Sequence, residues 1–204
     1  MFKPTLLRNR GIAAIALPGL TLVSGIALAH PGHAHEAASH TLAAGLLHPL
    51  TGVDHLLAML AVGLWAAMSH KTLPQALWTP FWFACLLLVG ALAGLAGVWL
   101  PAVEPVIVAS LLVLGLLLAA RITLPQAGSA ALVGFFAVFH GLAHGSELSP
   151  GASAAAFVAG FMLSTLALHA LGLAAGFVLK HHAAWISRIA GAGIAAYGLA
   201  LFAA

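Results

Sequence analysis

Six apolar stretches, each about as long as the hydrocarbon core of a bilayer requires of a helix, follow one another along this chain with almost no charge inside them. They run approximately over residues 42–68, 76–100, 102–120, 126–146, 152–179 and 183–203, with Pro74, Pro101, Pro125 and Pro150 at or near the boundaries. Of the 204 residues 63% are hydrophobic and only 5% charged, whereas about a quarter of a soluble domain is charged. So few charges cannot cover a water-soluble fold of this size. The expected architecture is therefore all-α: a polytopic membrane helix bundle with six transmembrane helices after a cleaved signal peptide. The net charge of +3 does not indicate nucleic acid, because the seven Lys and Arg are scattered singly and form no patch.

Residues 1–29 read as a signal peptide. Lys3, Arg8 and Arg10 precede an apolar stretch from Gly11 to Leu28, and Ala27-Leu28-Ala29 fits small-x-small cleavage. Residues 30–41 then form a histidine-rich extracytoplasmic tail, which either gathers metal ions loosely or is simply solvated. Residues 42–204 are the transmembrane domain. Lys71, Arg121, Lys180 and Arg188 fall at one end of the bundle, and Glu104 and Glu147 toward the other. The positive-inside rule puts the basic loops in the cytoplasm, and an exported mature amino terminus demands the same. The expected location is the inner (cytoplasmic) membrane. Histidine motifs on spans one and four are also consistent with two inverted three-helix halves.

Histidine is the anomaly of composition: there are 12, against four acids. The first cluster is His48-Pro49-Leu50-Thr51-Gly52-Val53-Asp54-His55, followed by Met59. On an ideal helix His48 and His55 share a face but lie roughly 10 Å apart. A break at Pro49–Gly52 would fold His48 back toward Asp54 and His55. An acid inside a bilayer is costly and marks function by default; the alternative is an Asp–His pair that only holds helices together. The second cluster is Phe139-His140-Gly141-Leu142-Ala143-His144-Gly145-Ser146-Glu147. His140, His144 and Glu147 lie on one helical face, a donor set suited to a divalent transition metal. Gly141 and Gly145 equally suit close helix packing.

Other positions carry less. Glu104 stands at the start of span three, where it either joins the site or complements the helix dipole. His169, inside span five, either relays an ion or packs. His181 and His182 read as ordinary loop residues. Trp65, Trp78, Trp82, Trp99 and Trp185 read as an interfacial aromatic belt, Phe81 and Phe83 as lipid-facing or packing residues, and the single cysteine, Cys85, as a small core residue.

At these motifs the sequence resembles the HupE/UreJ family of hydrogenase- and urease-associated nickel permeases. His48 to His55 with Met59 matches the family's His-Pro-x-x-Gly-x-Asp-His signature, and Phe139 to Glu147 matches Phe-His-Gly-x-x-His-Gly-x-Glu. The resemblance implies uptake of Ni²⁺, or else Co²⁺, with His48, Asp54, His55, His140, His144 and Glu147 handling the ion and Glu104 nearby. It implies no tightly bound cofactor and no enzymatic activity. The expected partners are the metal ion and the bilayer, with homo-oligomerisation left open. The chain has no Gly-x-x-x-x-Gly-Lys-Ser/Thr loop for ATP. The alternative is an intramembrane zinc-dependent hydrolase, in which His and Asp would hold a catalytic ion with one open position. Bis-histidine haem binding leaves Asp54 and Glu147 unexplained. A serine-histidine dyad fails, because Ser153 and His169 lie roughly 24 Å apart on one helix.

Overall fold

In lipid every backbone N–H must find its partner within its own segment, so apolar stretches of this length coil into helices. The computed structural model describes residues 41–148, 152–180 and 184–203; the cleavage site at Ala29, nearly all of the histidine-rich tail, and His181 and His182 lie outside them. The helices are α1 (Leu42–Thr51), α2 (Val53–Ser69), α3 (Leu73–Leu95), α4 (Val103–Ala120), α5 (Gln126–Ser146), α6 (Ala152–Leu179) and α7 (Ala184–Ala203). Five of them, α3 to α7, are long and apolar enough to cross a membrane, and α1 with α2 form a broken pair bent by 84°. The chain is thus a polytopic helical bundle, and the expected first span is the one that is not continuous.

Local chemistry accounts for the helix ends. The Thr41 hydroxyl accepts from the Ala44 amide at 3.1 Å and caps α1. Pro74 opens α3 and Pro125 precedes α5, positions where a missing N–H costs nothing. Between α1 and α2 only Gly52 is non-helical, with φ −93° and ψ 116°. Pro49, inside α1, removes one backbone donor just before that break. The Thr51 hydroxyl donates to the His48 carbonyl at 3.0 Å and so satisfies an acceptor at the open end of α1.

Three pairings dominate the packing: α3 with α5, α4 with α7, and α6 with both α1 and α2. Small residues make them. Gly90 and Gly94 of α3 meet Gly141 and Gly145 of α5 in parallel register; Gly63 of α2 meets Gly172 of α6, also in parallel; Gly115 of α4 meets Gly191 of α7 in antiparallel register. Without a hydrophobic drive between helices in lipid, such close backbone approach supplies the association. Exchanging the first three spans for the last three leaves this pattern of pairings unchanged, as inverted halves require. A β-carbon added at Gly141 would overlap the Leu87 carbonyl oxygen, which cannot move aside. Gly141→Ala is therefore expected to destabilise the bundle by about 1–3 kcal/mol, read as a lower melting midpoint in detergent. An unchanged midpoint would show that α3 and α5 do not depend on this contact.

The core gathers Met59 and Trp65 of α2, Phe83 and Leu87 of α3, Leu111, Leu114 and Leu118 of α4, and Phe161 of α6. Trp65 corrects the aromatic-belt reading. It is buried, and its indole N–H donates to the Ile122 carbonyl at 2.8 Å, so its polar handle is spent on the chain rather than on lipid headgroups. Trp78, Trp82, Trp99 and Trp185 are exposed, as is Phe81. Cys85 is free and only half-buried, so it is not a core residue in the strict sense. At one end of the bundle Lys180 donates to the carbonyls of Ala67 and His70; Lys71 and Arg121 lie at that end and Glu104 and Glu147 at the other.

Candidate metal centre

The periodicity of α5 puts His140 and His144 one turn apart on one face, and both are buried, at 1% and 3% exposure. The bend at Gly52 does what a straight helix cannot: it brings the His48 and His55 rings to 5.7 Å. Both then meet His144, with ring centroids at 4.5 Å from His48 and 4.6 Å from His55. His48 Nε2 faces His144 Nδ1 at 3.1 Å, so one proton is shared between two nitrogens that a metal ion would bind together. Two nitrogens about 2.1 Å from one ion at a right angle stand about 3.0 Å apart.

One ligand atom from each of His48, His55 and His144 falls within 4.8 Å of the others. Ligands on a single ion at about 2.1 Å cannot be more than about 4.2 Å apart, so the side chains must draw together for all three to bind one ion. Asp54 stands behind His55. Its Oδ1 lies 3.1 Å from His55 Nδ1, so the ring donates its Nδ1–H to the carboxylate and turns Nε2 outward as a lone pair. That atom is buried and has no hydrogen-bond partner among the described residues. A carboxylate behind a ligating imidazole fixes its tautomer and raises its basicity, and here also offsets part of the charge of a buried dication.

Gly52 is needed at the bend for space rather than for backbone freedom. A β-carbon there would come within 2.9 Å of Asp54 Oδ1 and 3.1 Å of His55 Nδ1.

The other expected site residues lie around this cluster rather than in it. His140 is one layer deeper, its ring 5.6 Å from that of His55. Its Nε2 lies 3.1 Å from the Ser110 hydroxyl, which itself donates to the Ile107 carbonyl at 2.6 Å. The hydroxyl proton being engaged, His140 donates through Nε2–H and its Nδ1 is left as a buried lone pair without a partner. Glu147, just past the end of α5, and Glu104, in the first turn of α4, are both exposed. They line one cavity of about 340 Å³ together with Trp99, Ala143 and Ser146. Neither belongs to the mutually close ligand set. Met59 packs in the core.

Three participants carry no motif of their own. Phe157 and Phe161 of α6 place their rings 5.5 and 6.0 Å from His48, and Phe161 also lies 4.7 Å from His144; together they form an apolar wall. Ser110 positions His140. The one sequence signal for the wall is a pair of aromatics four residues apart, indistinguishable from ordinary core spacing.

A bent helix pair, five membrane-length helices and three converging imidazoles define a polytopic membrane protein with a candidate transition-metal centre. The HupE / UreJ protein family matches residues 18–201, and a relative from Rhizobium leguminosarum bv. viciae, Protein HupE, is 40% identical over 185 residues, covering 89% of this chain and 95% of that protein. The chain belongs to the HupE/UreJ family. No solved structure matches it.

Proposed function

We propose that this chain is a secondary permease that takes up a divalent transition metal ion, Ni²⁺ foremost and Co²⁺ as the second cargo, across the inner membrane for maturation of a hydrogenase or urease. The observation that carries this reading is the meeting of half-buried His48 with buried His55 and His144 at the acid-bearing end of a membrane bundle. Family membership supports it. In this reading the signal peptide is removed after Ala29, and the basic end, with Lys71, Arg121 and Lys180, faces the cytoplasm. Glu104 and Glu147 then line an outer vestibule, where exposed carboxylates concentrate hydrated cations before they reach the histidines.

The ion is cargo, so it must bind well enough to shed water yet leave again. Three neutral imidazoles with slack in their spacing suit that requirement better than a closed four-ligand cage. Imidazole accepts nickel, cobalt and zinc alike, and the choice of Ni²⁺ first rests on the family relationship. Proteoliposomes containing the purified protein are expected to accumulate ⁶³Ni²⁺ faster than empty vesicles, with Co²⁺ competing. Accumulation equal to that of empty vesicles for both ions would overturn the permease reading.

A further inference from the structure

His169 of α6 is 2% exposed, and neither of its ring nitrogens has a hydrogen-bond partner among the described residues. Thr165, one turn earlier on the same helix, and Thr79 of α3 are both fully buried, and their hydroxyls are likewise without partners. A helical threonine ordinarily satisfies its hydroxyl on the carbonyl four residues back; these two do not. Burying an unpaired polar group is unfavourable, so packing alone selects leucine and valine at such positions, not histidine and threonine.

These groups continue the path that begins at the three-histidine cluster. Phe161 touches His144 and His48; Thr165 lies one turn deeper on α6, and His169 two turns deeper, about 12 Å along the helix. A second string of contacts leads to the same place. The His140 ring is 5.6 Å from His55, Phe83 is 6.1 Å from His140, and Phe83 is 5.0 Å from His169, edge to face. Thr79 precedes Phe83 by one turn on α3, toward the basic end of the bundle. The Phe83 ring thus stands between His140, whose Nδ1 is an unshared lone pair, and His169.

We propose that His169, with the hydroxyls of Thr165 and Thr79, is a second, inner station for the translocated divalent ion, and that the Phe83 ring separates it from the outer cluster. This rests on the permease reading. An ion leaving three imidazoles needs replacement ligands in an apolar bundle interior, and a lone imidazole with buried hydroxyls one turn away on α6 and on the neighbouring α3 would supply weaker ones. Weaker coordination there lets the ion move on toward the basic end instead of being trapped.

The test is His169→Leu in the full chain, reconstituted in proteoliposomes. Three quantities are read: ⁶³Ni²⁺ uptake, equilibrium ⁶³Ni²⁺ binding to the detergent-purified protein, and the melting midpoint. Uptake is expected to fall at least tenfold while binding stays within twofold of wild type and the midpoint is unchanged or higher. His169→Gln, which keeps a coordinating oxygen, should recover part of the uptake. Uptake by His169→Leu within twofold of wild type overturns the inner station and leaves the permease reading standing. A lowered midpoint with equal losses in both variants assigns His169 to packing and overturns it as well. A wild-type protein that accumulates neither Ni²⁺ nor Co²⁺ overturns the permease reading itself, and the station with it.

Discussion

His144→Ala is expected to lower the initial rate of ⁶³Ni²⁺ entry at least about 100-fold at sub-saturating metal. Loss of a partner one shell away from a metal already costs 10–100-fold, and His144 is the ring that both other histidines approach, at 4.5 and 4.6 Å. Without it, His48 and His55 remain with ring centroids 5.7 Å apart, a two-ligand site with no third member. The bundle should survive, because α5 is anchored on α3 through Gly141 and Gly145 rather than through this imidazole. Equal amounts of protein in the membrane, checked by immunoblot, separate loss of the site from loss of the fold. Entry within about threefold of wild type would show that the cluster is not on the path.

Asp54 separates two contributions that a single ligand deletion cannot. Asp54→Asn keeps an oxygen able to accept from His55 Nδ1–H, so the tautomer survives while the charge is lost. Asp54→Ala removes both. Apparent affinity for Ni²⁺, measured as KM for uptake, should weaken about 10-fold for asparagine and about 100-fold for alanine, the two ends of the range for loss of the hydrogen-bond partner behind a ligating imidazole. Gly52→Ala tests the same pair by crowding, since its β-carbon would stand 2.9 Å from Asp54 Oδ1 and 3.1 Å from His55 Nδ1. Its KM should lie between those of wild type and Asp54→Ala. If all three variants keep the wild-type KM, the Asp54–His55 pair holds helices together and does not tune the ion.

The α5 histidines were legible because helical periodicity is local. Four residues separate His140 from His144, and the 3.6-residue turn fixes their shared face wherever the helix lies. The same reasoning set His48 and His55 roughly 10 Å apart on a straight helix, and left their meeting dependent on a break that proline and glycine permit but do not compel. The two glutamates show the reverse. Spacing put Glu147 on the face of His144, yet at the C-cap of α5 it is exposed and lines the neighbouring cavity with Glu104.

Trp65 was misread for a related reason. Position near a span end identifies a belt residue only if the side chain faces lipid, and the carbonyl of Ile122 that receives its N–H belongs to a segment 57 residues away. The sequence alone determined that this chain lives in a membrane, which stretches are helical, and which residue types are able to hold a metal ion. These follow from solvent, backbone chemistry and short-range periodicity. Only the tertiary structure decided which nitrogens meet, because the 84° bend at Gly52 and the glycine contacts between helices distant in sequence set those distances, and no local rule contains them.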